Sequence, residues 1–109
     1  PPEGTWAGTF VSGNWSFSPF PSTVTIRRSG DRSKGTWYET VWLDLGGEID
    51  GTLDDTAFDG KVSVNGCWAT FRGTLTATAG ELTSPGMSGC SPIFPSVPNP
   101  VDIKFQLSR

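Results

Sequence analysis

Histidine is absent from the 109-residue chain, and this absence excludes a large part of enzyme chemistry. Without histidine there is no ordinary general base, no Ser–His or Cys–His nucleophile pair and no histidine-containing zinc site. Charged residues make up 17% of the chain, and the net charge of −3 does not favour nucleic acid. The apolar runs are too short to span a bilayer. We therefore expect neither a nucleic-acid partner nor a membrane partner.

Cysteine is scarce, with Cys67 and Cys90 the two present. A disulfide between them would close a loop of 24 residues, counted from 67 to 90, and chain entropy makes such a bridge worth about 3.5 kcal/mol. The alternative is two free buried thiols in a cytosolic protein. The small, lysine-poor chain, rich in Thr, Ser and Gly, favours the disulfide and a secreted protein. Its two leading prolines are what a cleaved leader or a proline-rich linker would leave.

Helix-forming residues are also sparse, whereas Thr, Val, Gly and aromatic residues alternate along much of the chain. This alternation predicts strands separated by turns, with Asn65-Gly66 as the strongest hairpin signal. The proline-rich residues 91–100 are predicted to form a loop or an edge segment. The predicted strands are 5–11, 23–28, 35–45, 48–53, 58–64, 67–77, 81–88 and 101–108.

About eight short strands in one domain, residues 1–109, predict an all-β fold. We expect an antiparallel β-sandwich of the jelly-roll type, with a small up-and-down β-barrel as the alternative. Glycines within the strands, such as Gly8 and Gly35, are expected to mark bends or bulges that curve the sheet.

The five tryptophans exceed what a core of this size needs. In 35–45, alternation places Trp37 inward, with Val41 and Leu43, and places Tyr38 and Trp42 outward. At roughly 3.3 Å per residue these two outward rings lie about 13 Å apart, a spacing suited to stacking on alternate sugars. In 67–77 the inward residues are Cys67, Ala69, Phe71, Leu75 and Ala77, and Trp68 faces outward among polar side chains.

An exposed aromatic ring offers a flat surface to the C–H face of a sugar, while polar side chains bond its hydroxyls. The candidate carbohydrate-binding residues are Trp42, Trp68, Tyr38, Trp15, Arg72, Asp44 and Gln106, with Glu39 and Asp50 as further polar candidates. The alternative is that these rings cover a second sheet or lie under a loop, and a single bulge would reverse the two faces. Trp15 is either the tip of a binding loop or a plug at a barrel end, whereas Trp6 and Trp37, each in Gly-Thr-Trp, are predicted core anchors.

Carboxylates suggest two further sites, neither of which the sequence favours. Asp50, Asp54, Asp55 and Asp59 are the candidates for a structural calcium ion, but their spacing matches no EF-hand loop, so we expect no cofactor. Glu39, Asp44, Glu48 and Asp50 could pair for glycoside hydrolysis, but they lie beside turns in a chain too short to build a deep cleft. We therefore expect no catalytic residues.

One small all-β domain, a proline-led start, a single disulfide and surplus indoles at Trp15, Trp42 and Trp68 resemble the β-sandwich carbohydrate-binding modules of secreted bacterial cellulases. The resemblance implies a monomeric, non-catalytic module that binds β-glucan, such as cellulose, mixed-linkage glucan or xyloglucan, beside a covalently linked glycoside hydrolase. Gly4-Thr5-Trp6 also resembles the first strand of avidin- and lipocalin-type barrels, which implies a small apolar ligand in the barrel mouth. A third alternative is an interaction or inhibitor domain that uses residues 92–100.

Overall fold

The computed structural model describes residues 3–39, 41, 44–87 and 90–109. Its strands are β1 (Gly4–Ser12), β2 (Phe20–Ser29), β3 (Arg32–Glu39), β4 (Leu45–Asp54), β5 (Ala57–Val64), β6 (Cys67–Leu75), β7 (Ala79–Gly86) and β8 (Val101–Ser108). The described part of the chain contains no helical segment with the length and hydropathy of a membrane span.

The eight strands form a closed barrel. Each strand pairs antiparallel with the next along the chain, and β8 returns to β1 from Ala7↔Ser108 to Ser12↔Ile103. The predicted β-sandwich is therefore wrong, and the alternative, a small up-and-down barrel, is correct. Alternation identifies strands and their two faces, but it carries no information on whether the last strand pairs with the first.

Two strand glycines lie where a neighbouring strand leaves no room for a side chain. A side chain at Gly8 on β1 would collide with the backbone carbonyl of Gln106 on β8. A side chain at Gly35 on β3 would collide with the backbone carbonyl of Thr25 on β2. The strand backbones approach each other at these two glycines more closely than a Cβ atom permits.

Aromatic rings fill the interior of the barrel. The Phe10 ring stacks on Trp37 with centroids 5.3 Å apart, and Phe105 meets Trp37 edge-on at 5.0 Å. Trp6 and Trp37 are 0% and 1% exposed, as predicted for core anchors. Their indole N–H groups donate to the carbonyls of Thr76 and Ser63, so both indoles are buried with their polar group satisfied.

The two ends of the barrel differ in how the strands are connected. Short turns lie at one end, which we call the turn end, where β2 joins β3, β4 joins β5 and β6 joins β7. The other end, which we call the loop end, carries the connections of β1 to β2, β3 to β4, β5 to β6 and β7 to β8. Of these, the β5–β6 connection is the predicted Asn65-Gly66 hairpin, with positive φ at both residues.

Trp15 closes the loop end. It is 2% exposed, its N–H donates to the Pro98 carbonyl at 2.7 Å, and its ring contacts Phe10, Phe20 and Phe94. Of the two predicted roles, the structure therefore gives the plug and not the tip of a binding loop.

The predicted disulfide between Cys67 and Cys90 is confirmed, with Cα atoms 6.1 Å apart. It ties the segment after β7 to the start of β6 at the loop end. The side chain of Asn99 braces the same segment, accepting from the Ile93 N–H and donating to the carbonyls of Cys90 and Ser91. Residues 91–100 form no strand of the barrel, as predicted.

Several predicted strand ends are wrong. β3 ends at Glu39 instead of continuing to Leu45, which begins β4. Val41, predicted to face inward, is 62% exposed because it lies beyond the end of β3. Trp42 and Leu43 lie outside the described residues. Glu39, a further polar candidate for sugar binding, shares the inward side of β3 with Trp37 and is 1% exposed.

The predicted alternation also fails at two strand ends near the end of the chain. Ala77, predicted inward, is exposed because β6 ends at Leu75. Val101, predicted to share the face of Ile103, is 37% exposed. Asp102 between them has a φ of 48°, and this left-handed residue interrupts the alternation.

Candidate functional site on the outer wall

A shallow depression of about 270 Å³ crosses β3, β4, β5 and β6 on the outside of the barrel. A second depression of about 370 Å³ adjoins it and shares Asp50 and Lys61 with it. We call the two together the strand-crossing groove. Its side chains from the first depression are Lys34, Thr36, Glu48, Asp50, Lys61 and Trp68, and the second adds Arg32, Thr52, Asp59 and Thr70.

Cross-strand register assembles this groove from residues that are distant in sequence. Lys34 lies opposite Asp50, Asp50 opposite Lys61, and Lys61 opposite Thr70, so one row of side chains crosses the four strands. Trp68 lies in the neighbouring row, opposite Ser63. Every second residue of a strand faces the same side, so both rows point away from the core.

Trp68 is the one tryptophan among the described residues that the fold leaves partly open. It is 38% exposed, and its indole N–H donates to no other described residue. The Lys61 ammonium lies 4.9 Å from the ring centroid, a cation–π contact worth about 0.5–1 kcal/mol at an exposed site. This contact is weak enough, and the lysine side chain flexible enough, for a ligand to displace it.

Two ion pairs neutralise some of the charged side chains in the groove. Arg32 bonds the Asp50 carboxylate at 2.6 Å, and Arg72 lies 3.5 Å from Asp59. Lys34 and Lys61 form no ion pair with any other described residue. The groove therefore presents an indole, ammonium groups that form no ion pair with other described residues, and hydroxyls side by side.

Tyr38 lies on the outer wall and is 51% exposed, opposite Gly46 on β4. It is three strands away from Trp68, which corresponds to about 14 Å along the hydrogen-bonding direction. The other ring of the predicted pair, Trp42, lies outside the described residues. Tyr38 is thus a second exposed ring beside the groove and not one of its lining residues.

The other predicted binding residues are not brought together. Gln106 is exposed on β8 between Glu81 and Thr9, on another part of the wall. Asp44 is exposed between β3 and β4 with a φ of 55°. Arg72 reaches the edge of the groove through Asp59, whereas Trp15 is buried at the loop end and leaves the candidate set.

The predicted calcium candidates do not form a metal site in the part of the chain that the structure describes. No three acidic or cysteine side chains there are grouped to hold a metal ion. Asp50 and Asp59 face arginines, Asp54 is the last residue of β4, and Asp55 lies in the turn to β5. Two of the four candidate carboxylates, Asp50 and Asp59, are therefore already paired with guanidinium groups.

Sequence reasoning missed Lys34 and Lys61, which line the groove on either side of Asp50. Alternation puts each on an outward face, but the two become neighbours of one carboxylate only through the pairing of β3, β4 and β5. That pairing register cannot be read from the alternation of one strand.

A larger depression, of about 510 Å³, lies between β7 and β8 and is lined by Thr83, Ser84, Pro85, Asp102, Ile103 and Lys104. It contains no aromatic side chain, so it offers no flat surface for stacking. The strand-crossing groove is the better candidate for a ligand with both an apolar face and polar edges.

Comparison of the chain with protein-family models, with curated proteins and with solved structures finds no match. The resemblance to cellulase-associated modules remains a prediction.

Proposed function

We propose that this chain is a non-catalytic domain that binds an extended polysaccharide, such as a β-glucan chain, in the strand-crossing groove. The observation that carries the proposal is Trp68, an indole left 38% exposed on the outer wall among polar side chains. Exposing part of an indole forgoes burial worth about 25 cal/mol per Å² of apolar surface. A sugar ring stacked on this surface would recover that burial.

The groove has the shape and chemistry that a polysaccharide chain requires. It is shallow and runs across four strands, so a chain can enter and leave at both ends. Thr36 and Thr70 offer hydroxyls, and Lys34 and Glu48 offer charged hydrogen-bonding groups, around the indole. An open site of this type is suited to holding a chain in place.

Two further features support a binding role outside the cell. The Cys67–Cys90 disulfide fits an oxidising compartment. The carboxylates of the groove are poorly arranged for hydrolysis, because Arg32 holds Asp50. We propose that the domain is secreted and brings a covalently linked glycoside hydrolase to its substrate.

The barrel interior gives less support to a small apolar ligand. Phe10, Trp15 and Phe20 pack against one another near the loop end, where such a ligand would enter. A ligand would have to displace Trp15 and break its hydrogen bond to Pro98. Hydrophobic dyes should therefore bind weakly to the folded protein.

Protein recognition by residues 92–100 is the second candidate, and the bracing of this segment favours it. The disulfide and the hydrogen bonds of Asn99 hold its backbone, and Pro95 and Ser96 are exposed in the turn between Phe94 and Val97. A loop held in one conformation loses less entropy on binding. Under this alternative, no glucan would be bound, and the purified chain would form a stable complex with another protein.

Affinity electrophoresis tests the main proposal. The wild-type protein should be retarded in a native gel that contains soluble β-glucan. Trp68→Ala should lose most of the retardation, and Trp68→Phe should retain part of it because a smaller ring still stacks. Gln106→Ala is the matched control, since it alters an exposed polar side chain on β8 outside the groove. Equal retardation of Trp68→Ala and wild type, or no retardation by any polysaccharide, would contradict the proposal.

A further inference from the structure

Positive charge is concentrated along one cross-strand row of the outer wall. Arg27 on β2 lies directly opposite Lys34 on β3, and Lys61 lies on the other side of Asp50. Like charges directly opposite each other destabilise a sheet. Arg27 and Lys34 form such a pair of like charges, although the chain as a whole has a net charge of −3.

The single carboxylate of the row does not neutralise it. Asp50 accepts a hydrogen bond from Arg32 at 2.6 Å, so its charge is already matched by a guanidinium group. Arg27, Lys34 and Lys61 form no ion pair with other described residues. Glu48 adds one negative charge in the neighbouring row, opposite Thr36. Asp59 and Arg72 in the next row pair with each other, so the five cations and three carboxylates of this region leave it with a charge of +2.

The positive row and the exposed indole meet at one residue. The Lys61 ammonium lies 4.9 Å from the centroid of the Trp68 ring. A sugar stacked on that indole therefore has its edge within reach of an ammonium group. Lys34 lies two strands away from Lys61, which corresponds to about 10 Å. The groove thus offers two cationic positions along the direction in which an extended chain would lie.

Building on the proposed function, we propose that the bound polysaccharide is acidic. Its carboxylate or sulfate groups bind Lys34 and Lys61, and one of its sugar rings stacks on Trp68. Arg27 extends the positive row beyond Lys34 and attracts the next acidic group of the chain. If the bound polysaccharide is neutral, the acidic ligand is excluded, but polysaccharide binding in the groove is not.

The experiment compares three soluble polymers that share a β-1,4-glucan backbone. One is neutral hydroxyethyl cellulose, one is cellulose oxidised at C6 to the carboxylate, and one is cellulose sulfate. We expect at least one acidic polymer to bind about tenfold more tightly than the neutral one at low salt, as two exposed ion pairs allow. The difference should shrink as NaCl is raised. The two acidic polymers show which anion the site prefers.

The variants separate the two proposals. Lys34→Gln/Lys61→Gln should abolish the preference for acidic polymers, so that the three polymers bind alike, whereas Trp68→Ala should weaken all three. Lys104→Gln on β8 is the matched control for loss of a surface charge, and circular dichroism checks that each variant is folded.

Equal binding of neutral and acidic polymers would overturn the acidic ligand and leave the proposed function standing. An acidic preference that survives Lys34→Gln/Lys61→Gln would overturn the assignment of these lysines. Binding to none of the polymers would overturn the proposed function.

Discussion

The inside of the barrel and its outer wall use the same side chain in opposite ways. Trp37 is 1% exposed, stacks on Phe10 and donates its N–H to the Ser63 carbonyl. Trp68, opposite Ser63 on the other face of the wall, is 38% exposed and has a lysine ammonium over its ring. Within the fold, the Trp37 ring is packed and its N–H is hydrogen-bonded. Trp68, in contrast, leaves part of its ring surface and its N–H donor available to a ligand.

This difference shows why tryptophan content alone is a poor guide to binding. Trp6, Trp15 and Trp37 are buried, and each donates to a backbone carbonyl. The interior of an eight-stranded barrel is wide enough for side chains to fill it, and in this chain indoles and phenyl rings supply that volume. Most of the apparent surplus of tryptophan is therefore needed for packing.

The largest expected effect is the loss of stability when the interior is emptied. Trp37→Ala removes the ring that contacts both Phe10 and Phe105, and it should lower the free energy of unfolding by about 3–5 kcal/mol. Urea denaturation followed by circular dichroism measures this change. Thr36→Ala, which alters an exposed side chain on the same strand, is the control and should shift the midpoint little. A loss below about 1 kcal/mol for Trp37→Ala would show that the interior is not the packed core described above.

Loss of the disulfide should have the next largest effect. Cys67→Ser/Cys90→Ser releases the segment after β7 from β6 and should cost about 3.5 kcal/mol of unfolding free energy through chain entropy. Reduction of the wild-type protein should produce a similar loss, measured by urea denaturation with and without reductant. The double variant should be insensitive to reductant. Identical unfolding curves for the oxidised and reduced wild-type protein would contradict the stabilising role of the bridge.

The smallest expected effect on stability is that of Trp68→Ala. Its ring contributes a cation–π contact and a partly exposed surface, so the loss should be about 1 kcal/mol or less. The same denaturation experiment sharpens the contrast with Trp37→Ala. A loss of unfolding free energy as large as that of Trp37→Ala would mean that Trp68 is needed for stability. Its partial exposure would then no longer indicate a ligand.

Local patterns predicted much of this structure. The strand of residues 101–108, the Asn65-Gly66 hairpin and the inward positions of Val24, Ile26 and Phe71 all follow from alternation and turn chemistry, and the structure confirms them. Strand ends were predicted less well. The alternation of apolar and polar residues continues in the sequence beyond Glu39, where β3 ends, so alternation alone predicts too long a strand.

Barrel closure and the candidate site depend on long-range pairing, which local patterns do not contain. The β1–β8 pairing joins residues nearly a whole chain length apart. Trp68 was predicted to face outward from its own strand, but its relation to Lys34 and Asp50 required the register of four strands. The polar residues chosen from sequence, such as Gln106 and Asp44, therefore lie elsewhere on the surface.

Fluorine NMR of protein labelled with 5-fluorotryptophan reports which indole meets the ligand, since each indole gives its own resonance. The Trp68 signal can be assigned with Trp68→Phe, and that of Trp37 with Trp37→Phe. On titration with a soluble polysaccharide that retards the protein in gels, the Trp68 resonance should shift and the Trp37 resonance should stay in place. A polysaccharide that binds and leaves the Trp68 resonance unmoved would contradict the assignment of the binding surface to this part of the outer wall.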